Sequence, residues 1–155
     1  MNGYAQVTTM AAVKRALVAR LRERPGLSGV HVVYGDGDGR RRESIRLGPT
    51  SEGDVEAVAF AGPGRRRREE TYEVEVIVEV IGKRTPEDNE DRAVALAGEV
   101  MDLVAGNPKL AGPQDEGVPG VAWVIASASS LDTTETTDGP RSVLTLTLTV
   151  KARLA

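Results

Sequence analysis

Cysteine is absent from the 155 residues, and histidine, tryptophan and phenylalanine occur once each. Without thiols the chain can hold neither a disulfide framework nor a thiolate metal site, and thiol chemistry is excluded. A single imidazole, His31, cannot make a histidine metal cluster, and no partners for a catalytic triad are indicated around it. It alternates with Val30 and Val32 and reads as an ordinary residue on the outer side of a strand. No stretch approaches the ~20 apolar residues of a membrane helix, and the N-terminus has no basic region followed by an apolar run. The chain is therefore expected to be soluble, made in a cytoplasm and not bound to a membrane. A net charge of −3 gives no general argument for nucleic-acid binding.

What is present is enough apolar content, 40%, to bury one core, so a single domain over residues 1–155 is expected. The charge is unevenly placed. Residues 1–68 carry 13 basic against 7 acidic side chains, a balance of +6, and residues 69–155 carry 7 against 16, a balance of −9. Such polarity suits copies of one chain that meet through opposite faces.

Periodicity supplies the elements. Thr8 or Thr9 can cap a helix carrying Val13, Ala16, Leu17, Ala19 and Leu21, which Pro25-Gly26 ends. A short strand around Val32 follows and leads into a glycine-rich turn, with two weaker strands at 43–47 and 55–60. Tyr72, Val74, Val76, Val78 and Val80 alternate with Glu73, Glu75, Ile77, Glu79 and Ile81, the mark of a long half-buried strand. Thr85-Pro86-Glu87-Asp88 is a helix start, with Val94, Ala97, Val100, Met101 and Val104 as the apolar stripe and Gly106-Asn107-Pro108 as the stop. Residues 118–128 read as a strand, 133–140 as a turn, and Leu144, Leu146, Leu148, Val150 alternate with threonines in a last strand. The order α-β-β-β-β-α-β-β, with alternation inside the strands, predicts an α+β fold: an antiparallel or mixed sheet with two main helices packed on one face. Its expected core sets Val74, Val76, Val78, Leu144, Leu146 and Leu148 against Val13, Leu17, Leu21, Val100 and Val104.

Three clusters could carry chemistry. Asp36-Gly37-Asp38-Gly39 has the opening of a calcium loop, but Arg40, Arg41 and Arg42 would repel the cation, and no helix follows the glycines to cradle a phosphate. Glu73, Glu75 and Glu79 share a strand face, with adjacent ones roughly 7 Å apart. That spacing would allow paired acid/base work, yet no pocket motif accompanies it, so a solvated or subunit-contact face is expected. Arg65, Arg66, Arg67 and Arg68 can neutralise phosphates, but the run lacks the interleaved aromatics that stack bases. A solvated loop, a subunit contact or a basic rim near a DNA channel are its three readings. No catalytic residue, metal ligand or cofactor site emerges.

The organisation as a whole resembles the tail terminator, or tail completion, proteins of long-tailed bacteriophages. The resemblance is carried by the N-terminal helix through Val13 and Leu21, the Pro25-Gly26-Leu27 segment, and the long strand Glu70-Thr71-Tyr72-Glu73-Val74-Glu75-Val76. It continues with the Thr85-Pro86 helix ending at Asn107-Pro108-Lys109-Leu110-Ala111-Gly112, a hairpin, and the closing Leu144-Thr145-Leu146-Thr147-Leu148-Thr149-Val150-Lys151-Ala152-Arg153. It implies a non-enzymatic homohexameric ring in the virion neck, which stops tail-tube growth and offers the surface for the head connector; another neck or head-completion ring protein, or a small ligand-binding or enzymatic α+β domain using the acidic strand face, are the alternative readings. The implied partners are further copies of the chain, the tail tube protein and the connector or stopper protein, with DNA passing nearby in the channel. Arg65, Arg66, Arg67, Arg68, Glu73, Glu75 and Glu79 are the candidate subunit or neck interface. Residues 35–42 and 62–68 are expected to be mobile in the free subunit and ordered in the assembled neck.

Overall fold

The computed structural model describes residues 7–35, 42–57 and 68–154. The elements run α1 (Met10–Arg22), a 3-10 turn (Pro25–Leu27), β1 (His31–Val33), β2 (Glu43–Leu47), β3 (Gly53–Ala57), β4 (Arg68–Ile81), α2 (Pro86–Gly106), β5 (Val121–Thr136) and β6 (Gly139–Leu154). This is the expected order, and the fold is α+β. Six strands form one mixed sheet in the order β1-β2-β4-β6-β5, with β3 also paired to β4. All pairings are antiparallel except β1 with β2.

The alternating strands form the centre because each has one apolar side to hide. β4 and β6 pair from Arg68↔Leu154 to Ile81↔Arg141, so that Val74, Val76 and Val78 lie beside Leu148, Leu146 and Leu144. Every residue of the expected core is buried, including Val13, Leu17, Leu21, Val100 and Val104 from the helices. In α2, the Thr85 hydroxyl accepts the Asp88 N–H at 3.1 Å, Pro86 fills a first-turn position that needs no donor, and Glu87 and Asp88 meet the positive end of the helix dipole. Its stripe is displaced from the expected one: Ala93, Leu96 and Leu103 join Ala97, Val100 and Val104 inside, whereas Val94 and Met101 are about half exposed. A helical period leaves several residues on the margin of a face, and the packing angle decides which are covered.

Two strand limits also differ from the sequence pattern. β5 continues to Thr136, so residues 133–136 are strand; the turn is confined to Thr137 and Asp138, with Gly139 at φ 111°. The threonines there suit a pleated surface, and pairing with the start of β6 overrides their turn-like neighbours. β3 is displaced toward Gly53, and residues 58–60 of the expected strand lie outside the described residues.

β2 and β3 are one strand interrupted by a bulge. Five residues, 48–52, oppose 73–75 of β4, with the Gly48 N–H donating to Glu75 O at 2.8 Å and the Glu73 N–H to Glu52 O at 3.3 Å. Gly53 permits the re-entry, because a Cβ there would stand 2.1 Å from the Thr71 carbonyl oxygen.

Candidate interface surfaces

Alternation on β4 puts Glu73, Glu75 and Glu79 on the face away from the helices, but their surroundings separate them. Glu79 sits between Arg46 of β2 at 2.8 Å and Arg141 of β6 at 2.9 Å, its side chain only 14% exposed. The hydrogen bond from Arg141 foremost, helped by that from Arg46 and opposed by burial, holds its carboxyl below the usual range. The cluster ties three strands together across the outer face. Glu73 and Glu75 are exposed instead, and with Glu52, Pro49 and Thr50 line an open hollow beside the bulge. Among the described residues, no group of three or more His, Cys, Asp or Glu side chains is placed to hold a metal.

Of the arginine run, Arg65, Arg66 and Arg67 lie outside the described residues, as do Asp36, Asp38, Arg40 and Arg41. Arg68 opens β4, opposite Leu154 on one side and Ala57 on the other, at the end of the sheet where Glu73 and Glu75 are also found. His31 lies in edge strand β1 opposite Ser44 and is half-buried.

Three polar arrangements escape a reading of the sequence. Glu70, 2% exposed, accepts the Thr9 N–H and Thr9 Oγ1–H at 2.6 Å each and the Thr8 hydroxyl at 2.8 Å, thereby capping α1 from β4. Thr9 therefore bounds the helix without capping it through its own side chain. Burial raises the phenol of neighbouring Tyr72, whose OH lies 2.9 Å from Thr9 Oγ1. The signal was parity: Glu70 belongs with Tyr72 and Val74 on the inner side of β4, although it reads as part of an acidic run. Lys14, also buried, donates to Gly48 O at 3.1 Å and lies 4.8 Å from the Tyr34 ring centroid. Asn89 on α2 donates to Val80 O, Pro140 O and Ser142 Oγ, fixing the start of α2 on the β4 and β6 ends.

The remaining surface feature is the sheet's two lateral edges. β5, 16 residues long, ends the strand path on one side, and β1, 3 residues long, ends it on the other. Beyond Ser127 nearly all of β5 is exposed, and its last half contains no lysine or proline to discourage pairing.

A two-layer α+β domain whose outer sheet face is uncovered among the described residues, with β1 and β5 as its lateral strands, is the class that this architecture defines. No family model matches the chain, and no curated protein sequence matches it. Among solved structures it is similar to a chain of the virion of a native gene transfer agent particle, with a TM-score of 0.62 and 14% identity. The match covers 96% of this chain and 99% of that one, and at this identity it shows a common fold.

Proposed function

We propose that the chain is a structural protein of a phage-like virion and, within it, the tail terminator: a ring-forming, non-enzymatic part that caps the tail tube and receives the head connector. The observation that carries the reading is the end-to-end likeness of fold to a chain of a gene transfer agent virion, with almost nothing left over on either chain. The finer assignment rests on the helix, long strand, central helix and closing hairpin pattern that resembles tail terminators. Six copies is the number that resemblance implies. A closed ring needs a head-to-tail contact of fixed angle, which fixes its copy number.

The outer face supplies the surface for tube or connector. Glu73 and Glu75 offer exposed carboxylates there, with Arg65, Arg66, Arg67 and Arg68 preceding them in the chain, whereas Glu79 is engaged by Arg46 and Arg141 within the subunit. Exposed ion pairs contribute about 0–1 kcal/mol each, so these charges set partner and register more than strength.

Deleting the gene from its virion and imaging the products tests the reading. Overlong, headless tails that are corrected by adding the purified protein are the expected outcome. Tails of normal length on DNA-leaking heads would assign the chain to a head-completion ring instead, and normal particles would remove it from the neck.

A further inference from the structure

The large apolar side chains left exposed among the described residues gather at the sheet's two lateral sides. Val94, Met101, Ile125 and Leu131 belong to α2 and β5, and Val7, Tyr34 and Val55 lie about β1 and β3. On α2, Arg92 and Glu99 bond Glu43 and Arg24 and so mark the flank turned to β2 and α1. Glu90 accepts the Thr133 hydroxyl at 2.7 Å and marks the opposite flank, the one beside β5. Val94, one turn after Glu90, and Met101, a further two turns on, share that flank. One helical turn advances about 6 Å, as do two strand residues, which brings Val94 level with Leu131.

Leu131 ends a row that crosses the sheet. Val32, Ile45, Val78, Leu144 and Leu131 stand side by side on the helix-covered face, the first four at most 6% exposed and the last 42%. The inner layer thus runs out of cover at β5, while the row's other end is the edge strand β1. The charges at these two ends are opposite. Glu87, seven residues before Val94 and on the same flank of α2, is exposed, as are Asp132 and Glu135 on β5, which has no cation. On the other side, Arg22 donates to Val32 O of β1 at 3.0 Å, and Arg15, two turns earlier, shares that exposed flank of α1, a helix without an acidic residue.

We propose that the subunit contact is edge to edge: the free edge of β5 and the Val94–Met101 flank of α2 in one copy seat against β1, Tyr34 and the Arg15–Arg22 flank of α1 in the next. The inference rests on the ring reading above and names the surfaces that close the ring. β1 of one copy lies alongside the neighbour's β5, its Val32 carbonyl being already taken by Arg22, and α1 lies against the Val94–Met101 flank of α2, so both layers continue across the junction. Apolar burial at Leu131, Val94 and Met101 supplies the affinity, and the acid-to-arginine match sets the direction. The two surfaces stand at one level along the strands. Rotation without rise preserves level, so a ring whose axis follows the strands brings them together.

The absence of cysteine makes the contact directly testable. His31 and Asp132 end the outer-face row that runs through Ser44, Glu79 and Val143, so the proposed contact sets them side by side on one face. In a single chain they lie on opposite edges of the sheet, four strand spacings or ~19 Å apart, far beyond a disulfide's reach. A His31→Cys/Asp132→Cys chain, oxidised or treated with a short bis-maleimide, should give a covalent ladder ending at the ring's copy number, while each single variant stays monomeric on a denaturing gel. Dimers from Asp132→Cys alone would show a two-fold β5 contact and overturn the proposal. Val94→Glu/Met101→Glu should keep the far-ultraviolet circular dichroism of the parent and raise the concentration for half-assembly about tenfold or more. Rings seen by electron microscopy that neither ladder nor respond to these substitutions would refute the contact and leave the ring reading standing. A wild-type chain that forms no rings at any concentration or on tails would overturn both.

Discussion

Glu79 and Glu70 show how a residue's neighbours, and not its type, set its role. Glu79 lies on the outer face, but two guanidiniums hold its carboxyl below the usual range, the Arg141 hydrogen bond first. A carboxyl with a lowered folded value stabilises the native state fully above its ordinary range, roughly pH 4.3, and loses that contribution as pH falls through the lowered value. Glu43, held low chiefly by its hydrogen bond from Arg92, acts in the same direction. Replacing Glu79 with Gln should therefore cost about 1 kcal/mol at pH 7 and flatten the acid limb of stability against pH, measured by urea unfolding across pH 2–7. An unchanged acid limb would show that the cluster contributes nothing to folding. Glu70 is a matter of satisfied donors: Glu70→Ala leaves the buried Thr9 N–H and hydroxyl without their acceptor, and should cost about 1–3 kcal/mol in the same experiment.

At the scale of elements, packing decides which side of each helix and strand carries weight. Leu146 is 2% exposed on the central strand β6, opposite Val76, and Leu146→Ala should cost about 2–5 kcal/mol through lost contacts and the cavity left behind. On α2, Leu96→Ala should fall in the same range of about 2–5 kcal/mol, whereas Val94→Ala, 53% exposed, should stay within about 0.5 kcal/mol in the isolated subunit. Equal costs at positions 94 and 96 would place the helix with the wrong face inward. The alternation of β4 and β6 and the capping of α2 by Thr85 are legible in sequence because each is a local pattern with a local cause. The extent of β5 is not. Apart from Leu131, its residues 129–136 are polar, and nearly all are exposed, so no burial pattern marks them, and only the pairing with β6 shows that they are strand.

For the whole molecule, the question is which surfaces meet a second copy and which meet the rest of the neck. Reversing Arg65, Arg66, Arg67 and Arg68 to Glu tests the neck contact apart from the ring. On the edge-to-edge contact, rings should still form, and the expected defect is headless tails, scored by counting full particles in micrographs. Loss of rings from this variant would move the arginine run into the subunit junction, and wild-type particles would take it out of the neck altogether.

The sequence by itself determined the α+β class, the order of elements and the buried rows of β4, β6 and α1, since period and turn chemistry act over a few residues. It also made a phage-neck role the leading resemblance. Tertiary structure alone decided that Glu79 is bound within the subunit while Glu73 and Glu75 are exposed, because their neighbours Arg46 and Arg141 lie 33 and 62 residues away from Glu79 in the chain. It alone set Glu70 over the start of α1, and it alone left Leu131 at the open end of a row that is otherwise covered. Strand order and packing angle bring distant segments together, and neither is written in any local run of residues.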